Sequence, residues 1–157
     1  MFKMGGIIMK RKRLAAILLT AAMMVSVVST TASAANTTDK RYYKPSIKAG
    51  QWISTVGYYK ETTSEVYVNP LHSPSNYSQM RTYCNVSGTP TNKTTAGTVR
   101  LYDGNKYAIN NFVYEDGDYT SGYGVSMWLR MSPTSGSGYM EGYWSPDYAY
   151  ESGVTYV

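Results

Sequence analysis

Apolar side chains alternate with polar ones through much of the chain after residue 35, and this period of two constrains the fold more than any other feature. The clearest example is GVSMWLRMS, in which one series of alternate residues is Val125, Met127, Leu129 and Met131. Residues two apart share one face of a strand, so the pattern predicts a strand with one apolar face. Helical periodicity is absent from the sequence after residue 35.

Several other stretches alternate in the same way and are separated by turn-forming residues. They are QWISTVGYYK, SEVYVN, MRTYCNV, GTVRLYD, KYAINNFVY and YMEGYWS. About seven short strands separated by turns are typical of an antiparallel sandwich or a small barrel. We expect an all-β antiparallel β-sandwich over residues 51–157, preceded by a flexible N-terminal arm over residues 36–50. The Pro-rich stretch 70–78 is expected to be a loop.

The residues available for a core are unusual. All 17 tyrosines and all three tryptophans follow residue 35, where there are only three Leu, three Ile, nine Val and one Phe. Aromatic rings favour strands and carry large apolar surfaces. We therefore expect a core built largely from aromatic rings and valines.

The first 35 residues have the pattern of a cleaved, helical secretory signal peptide. Basic residues at 10–13 precede an apolar run over 14–28, and small residues in A-x-A spacing follow. We expect cleavage after Ala34 or Ala35 and release of the protein, with no stable membrane anchor afterwards. The alternative is an uncleaved anchor, although a membrane-spanning helix needs about 20 apolar residues.

The charge of the chain after residue 35 argues against polyanionic and membrane partners. The whole sequence has a formal net charge of +5, but five of its fifteen basic residues lie within residues 1–13. The rest of the chain has ten basic and ten acidic residues, and therefore no net charge. We expect neither nucleic-acid binding nor a polybasic membrane contact; the oligomeric state is open.

The chain has one cysteine, Cys84, and therefore cannot form an internal disulfide. Its alternating position in RTYCNV suits a buried strand site, and free cysteine is among the most buried residue types. Pairing with a cysteine of another chain is the alternative.

The sequence offers little for catalysis or for binding a metal or cofactor, and we expect neither a metal nor a cofactor. His72 is the only histidine, and a zinc site normally needs several His or Cys ligands. The acidic stretch EDGD, Glu115 to Asp118, is read as a solvated turn, with calcium binding as the alternative. Glu141, within an aromatic strand, is the best candidate for a glycan hydrolase, although such enzymes need two carboxyl groups.

Surface residues remain as the candidate site. In YMEGYWS, alternation places Tyr139, Glu141 and Tyr143 on one face, and Met140 and Trp144 on the other. The face with the carboxylate should point outward, and Trp144 should be core. On the strand GVSMWLRMS, Trp128 and Arg130 should lie outside or in a second buried layer.

Three stretches support a resemblance: MKRKRLAAILLTAAMM followed by ASAA, then GVSMWLRMSP, and GYWSPD near the end. The chain resembles small secreted, uncharacterised proteins of Gram-positive bacteria. It is also distantly similar to lactococcin-type β-sandwich bacteriocins, which likewise lack disulfides and end in an aromatic strand. That resemblance implies a secreted toxin or competition factor, and it transfers no functional residue.

Three functional hypotheses result. The first is a non-catalytic binding or interaction module that contacts the cell wall, other glycans or another protein through Tyr139, Glu141, Tyr143, Trp128 and Arg130. The second is a bacteriocin-like toxin, and the third is a small glycan hydrolase that uses Glu141.

Overall fold

Strands form nearly all of the regular structure in residues 40–157, the part of the chain that the computed structural model describes. The all-β prediction is therefore confirmed for these residues. The predicted signal peptide, with its cleavage positions Ala34 and Ala35, lies outside the described residues.

The described residues contain twelve strands, where about seven were expected. They are β1 (Lys40–Lys48), β2 (Ile53–Ser54), β3 (Tyr58–Lys60), β4 (Val66–His72), β5 (Tyr77–Val86), β6 (Thr89–Asn92), β7 (Val99–Tyr102), β8 (Lys106–Ile109), β9 (Tyr119–Thr120), β10 (Gly124–Pro133), β11 (Ser137–Ser145) and β12 (Val154–Tyr156). One helical turn, α1 (Val113–Asp116), lies between β8 and β9.

These strands form two sheets. The first has five strands in the order β1-β11-β4-β8-β12. The second has seven and is centred on the pair β10 and β5; β2, β3 and β9 pair with β10, while β6 and β7 pair with β5. Neighbouring strands in the described residues run antiparallel, apart from the parallel pair β12 and β8.

Both sheets contribute side chains to one buried cluster. The five-stranded sheet supplies Val66, Val68, Ile109, Met140 and Trp144, and the seven-stranded sheet supplies Met80, Leu101, Val125, Met127, Leu129 and Met131. The predicted apolar face of β10 is thus buried, as is the predicted inner face of β11. Full burial of one such side chain stabilises the fold by about 1.5–3 kcal/mol.

The core contains fewer aromatic rings than the composition suggested. Within residues 40–157, the buried rings are Tyr42, Tyr67, Tyr107 and Trp144, while most other tyrosines are partly or largely exposed. Four methionines share the interior with valine and leucine. A tyrosine hydroxyl needs a hydrogen-bond partner when buried, whereas methionine fills irregular space without one.

Residues 40–48 form a strand, so the prediction of a flexible arm over residues 36–50 is wrong for this part. β1 pairs with β11, and the register shifts between Lys44 and Ile47. Its two buried side chains, Tyr42 and Ile47, are consequently an odd number of residues apart. A bulge breaks the period of two, and this strand therefore has no alternating pattern.

The stretch 70–78, expected as a loop, belongs partly to β4 and β5. β4 continues through Pro70 to His72 between β11 and β8. Proline has no N–H for a sheet and is tolerated at bulges, and Pro70 lies opposite Gly142 where the register of β11 shifts. This extension of β4 brings His72 alongside Glu141.

Two more of the additional strands have a local cause. The stretch QWISTVGYYK divides into β2 and β3, which both pair with β10. β6 begins directly after the two-residue turn Ser87–Gly88, where both residues have positive φ. Positive φ at both central residues is typical of the tight hairpin turn.

Lys60 is fully buried at the end of β3 and connects two separate loops. Its Nζ donates to the carbonyl oxygens of Ser64 and Pro146, the latter at 2.7 Å, and lies 3.5 Å from Asp147 Oδ1. Burial lowers the pKa of the Lys60 ammonium, and the Asp147 carboxylate opposes this shift. Gly124 makes room for the Lys60 backbone, because a Cβ at that glycine would overlap the Lys60 carbonyl.

The Asp147 carboxylate completes this connection, which we call the Lys60–Asp147 tie. It accepts the backbone N–H groups of Glu61 at 2.9 Å and Thr62 at 3.0 Å, and the Thr62 hydroxyl at 2.6 Å. The loop between β3 and β4 is thereby attached to the chain that follows β11.

We expect Lys60→Met to lower the free energy of unfolding by about 3 kcal/mol, because it leaves Asp147 and two carbonyl oxygens without their cation. The matched control is Lys48→Met on exposed β1 surface, expected to change it by less than about 0.5 kcal/mol. Urea unfolding of both variants measures this difference. Equal free energies of unfolding for the two variants would contradict a stabilising role of the Lys60–Asp147 tie.

The pH dependence of the same two proteins provides a second measurement. The folded-state pKa of Lys60 lies below its ordinary 10.5, so the unfolded chain binds the extra proton between those two values. The contribution of Lys60 to stability therefore increases as pH rises through the folded pKa towards 10.5. This increase should be missing from Lys60→Met.

Cys84 is fully buried, and burial raises the pKa of its thiol to about 11. The prediction of a buried site is confirmed. Since the thiolate is the reactive form, we expect a disulfide reagent at pH 8 to leave the native thiol unmodified and to react after urea unfolding. Rapid labelling of the native protein would contradict this placement.

Candidate binding surfaces

The five predicted contact residues lie on two different sheets. Tyr139, Glu141 and Tyr143 belong to β11 of the five-stranded sheet, whereas Trp128 and Arg130 belong to β10 of the seven-stranded sheet. The structure therefore contains two separate candidate surfaces.

The side chains of β11 alternate as predicted. Tyr139 is 41% exposed, while Met140 and Trp144 are buried. Glu141 and Tyr143 are partly exposed. Alternation along one strand thus identified the outward residues of this sheet correctly.

Two neighbouring strands add aromatic rings beside Tyr139. His72, at the end of β4, stacks on Tyr139 with centroids 4.0 Å apart, and Tyr43 of β1 lies 6.0 Å from the same ring. We call the surface formed by Tyr43, His72, Tyr139, Glu141 and Arg41 the Tyr139 face. Sequence reasoning did not include Tyr43, His72 or Arg41, since it placed them in an arm and a loop.

An ion pair lies next to these rings. Arg41 Nη2 and Nε donate to the same oxygen of Glu141, at 2.7 Å and 3.0 Å. The Arg41 guanidinium is also 5.8 Å from the centre of the Tyr43 ring. Glu141 Oε1 is consequently already engaged within the protein, and the pair fixes β1 and β11 side by side.

The inner side of the same sheet requires glycine at position 142. Tyr42 is the cross-strand neighbour of Gly142, and its ring lies over this glycine. An aromatic ring above a glycine on a paired strand is a known way to fill the missing side-chain volume. The Tyr42 hydroxyl is buried without a hydrogen-bond partner, and burial raises the pKa of Tyr42.

On the seven-stranded sheet, arginines lie against aromatic rings. Trp128 and Tyr83 are cross-strand neighbours with ring centroids 6.1 Å apart, and Arg130 lies 5.2 Å from the Tyr83 centroid. Arg81 lies 4.2 Å from a Trp52 ring, and Arg100 lies 4.8 Å from Tyr77. The arginine face is this set: Arg81, Arg100, Arg130, Trp52, Tyr77, Tyr83 and Trp128.

Two concave features within residues 40–157 are small. A cleft of about 140 Å³ is lined by Tyr43, Tyr58 and Trp144, among others. Another, of about 210 Å³, is lined by Glu61, Tyr119 and Tyr123 with two glycines. Small-molecule sites are usually about 300–1,000 Å³. These two clefts therefore fit only a small chemical group.

The carboxylates of the EDGD stretch have different partners. Asp116 pairs with Lys93 at 2.8 Å, and Asp118 accepts the backbone N–H groups of Ser87 and Gly88 at 2.7 and 2.8 Å. Three of these four residues lie in or next to α1, not in a simple turn. Within residues 40–157, no group of three or more His, Cys, Asp or Glu side chains gathers around a common point.

A family model described as a protein of unknown function, DUF2712, matches residues 29–148. The chain belongs to the DUF2712 family. The matched region includes β1 to β11, and with them both candidate surfaces of this DUF2712 protein. No curated protein and no solved structure matches the chain. Residues 40–157 include no helix long and apolar enough to span a membrane.

Two glycines of β11 provide a matched test of how the Tyr139 face is supported. A Cβ at Gly142 would overlap the Tyr42 hydroxyl and lie 2.6 Å from Asn69 O, whereas a Cβ at Gly138 would lie 3.5 Å from Pro74. We expect Gly142→Ala to lower the free energy of unfolding by about 2–3 kcal/mol through overpacking. Gly138→Ala should change it by less than about 0.5 kcal/mol. Thermal or urea unfolding measures both, and similar values for the two variants would contradict this packing.

Proposed function

We propose that this DUF2712 protein is a secreted, non-catalytic binding module that contacts glycans of the cell envelope or its surroundings through the Tyr139 face. The observation that carries the proposal is the row of rings formed by Tyr43, Tyr139 and His72 on the outer side of one sheet. Tyrosine rings present an apolar body and a polar tip, which suits the apolar and hydroxyl-bearing sides of a sugar ring.

The backbone beneath the face supports this role. The residues come from β1, β4 and β11, which are hydrogen-bonded neighbours, and the Arg41–Glu141 pair joins two of these strands. A surface that is already ordered loses little conformational entropy when a ligand binds. The tyrosine rings and the internally paired charges favour a neutral polymer over a small charged substrate.

The sandwich architecture and secretion of the protein are also part of this proposal. We infer a β-sandwich, because side chains from both sheets meet in one buried cluster. We infer secretion from the signal-peptide pattern of residues 1–35, with cleavage near Ala34 or Ala35. A fold without an internal disulfide must then be stabilised by this core and by the Lys60–Asp147 tie.

The test is retention on purified cell walls and insoluble neutral polysaccharides. We expect Tyr43→Ala with Tyr139→Ala to weaken retention about tenfold, since each ring contact contributes about 0.5–1.5 kcal/mol. Tyr143→Ala, at a partly exposed residue of β11 outside the defined face, should weaken it less.

The matched control is Tyr119→Ala with Tyr150→Ala, two tyrosines that are 60% and 83% exposed and lie outside the face. This control should be retained as well as the unmodified protein. Equal retention of the Tyr43 and Tyr139 double variant would remove the Tyr139 face from the proposal.

Two alternatives remain predictions. A bacteriocin-like toxin should clear lawns of related Gram-positive bacteria when purified protein is spotted on them, and no clearing over a broad panel would contradict it. A glycan hydrolase should lose turnover in Glu141→Gln. The pairing of Glu141 with Arg41 favours a structural role for that carboxylate.

A further inference from the structure

No carboxylate within residues 40–157 pairs with the three arginines of the arginine face. The salt bridges within residues 40–157 use the cations Arg41, Lys60, Lys93 and Lys106. Arg81, Arg100 and Arg130 are held against rings instead, and Arg81 Nε donates to the neutral Thr98 hydroxyl at 2.7 Å. Their positive charge is thus positioned by the protein and is not neutralised by an ion pair.

Two of these charges face each other across neighbouring strands. Arg130 of β10 is the direct cross-strand partner of Arg81 of β5. Like charges opposite each other in an antiparallel pair are destabilising. Contacts with Trp52 and Tyr83 hold the two guanidiniums in place without removing this repulsion. An anion bound across both would remove it.

The strands that carry the face contain no acidic residue. β2, β5, β7 and β10 include three arginines and no Asp or Glu. Alternation directs Arg81 and Arg130 away from the buried cluster, since Met80, Thr82, Leu129 and Met131 on either side are buried. The three arginines, on strands that carry no carboxylate, therefore form a positively charged area on the outer side of this sheet.

We propose that the arginine face binds an acidic polysaccharide. A guanidinium presents a planar fork of N–H donors that matches a carboxylate or another oxyanion with two hydrogen bonds. The rings beside the guanidiniums offer apolar edges to the sugar units. This inference extends the proposed glycan-binding role to a second surface and assigns that surface a ligand class.

An acidic polysaccharide fits the face better than a single-stranded nucleic acid. Binding of a strand without sequence preference relies on bases stacking on free aromatic faces. Here guanidiniums lie against Trp52, Tyr77 and Tyr83, so charged groups already occupy these rings. The ligand would therefore meet the guanidiniums before the ring faces.

The experiment is isothermal titration calorimetry in low-salt buffer. The purified protein is titrated separately with polygalacturonate, neutral dextran and a single-stranded oligonucleotide. We expect polygalacturonate to bind best and to be released by added salt. Arg81→Gln with Arg130→Gln should weaken this binding about tenfold or more through loss of two charge-assisted contacts. Arg100 lies at an exposed position of β7. Arg100→Gln should weaken polygalacturonate binding about threefold without disturbing the packing of the central strands β5 and β10.

The matched control is Lys44→Gln with Lys48→Gln on β1, which removes the same amount of charge from the other sheet. It should bind polygalacturonate like the unmodified protein. The Tyr43 and Tyr139 double variant should also bind normally, so this inference and the function proposed for the Tyr139 face can fail independently.

Several outcomes would overturn the inference. They are no binding of polygalacturonate, equal or tighter binding of dextran or the oligonucleotide, and an equal loss in the Lys44 and Lys48 control. If the double arginine variant does not fold, Arg100→Gln decides alone, and unchanged binding by this variant would overturn the role of the face.

Discussion

The pairing of β11 with β1 on one side and β4 on the other organises the five-stranded sheet. It places Met140 and Trp144 in the core, and the same alternation directs Tyr139 and Glu141 outward. Gly142 allows the close approach of Tyr42 at the centre of this arrangement. Because inward and outward residues alternate along one strand, a slip by one position would expose the tryptophan and bury the carboxylate.

The two candidate surfaces differ in how the charged groups beside their aromatic rings are paired. On the Tyr139 face, Arg41 and Glu141 neutralise each other, and the rings of Tyr43 and Tyr139 remain partly free. On the arginine face, the guanidiniums of Arg81 and Arg130 lie on rings and keep their charge. These pairings are the reason why we propose a neutral polymer for the first surface and an anionic one for the second.

Polar interactions also have a structural role at the ends of the strands. A buried ammonium is costly unless its donors are satisfied. Lys60 meets two carbonyl oxygens and the Asp147 carboxylate, and Asp147 in turn holds the backbone of the β3–β4 loop. Asp118 holds the Ser87–Gly88 turn in a similar way. These carboxylates therefore stabilise loops, although in the sequence they resemble ordinary solvated charges.

Much of the local structure follows from the sequence. The period of two identified the strands around β10 and β11 and their inward faces, and the position of Cys84 indicated a buried site. These predictions succeed because side-chain direction along a regular strand depends only on neighbouring residues. Where a bulge breaks the period, the prediction failed: β1 was missed, and β4 was expected to end before Pro70.

The composition of each surface was decided by tertiary structure. Nothing in the local sequence indicates that Tyr43 and His72 meet at Tyr139, or that Arg81 faces Arg130, because strand pairing joins residues far apart in the chain. The sequence by itself determined the regularly alternating strands, their inward and outward faces, and the signal-peptide pattern. Only the tertiary structure decided which outward residues are neighbours, since cross-strand register is set by packing of the shared core.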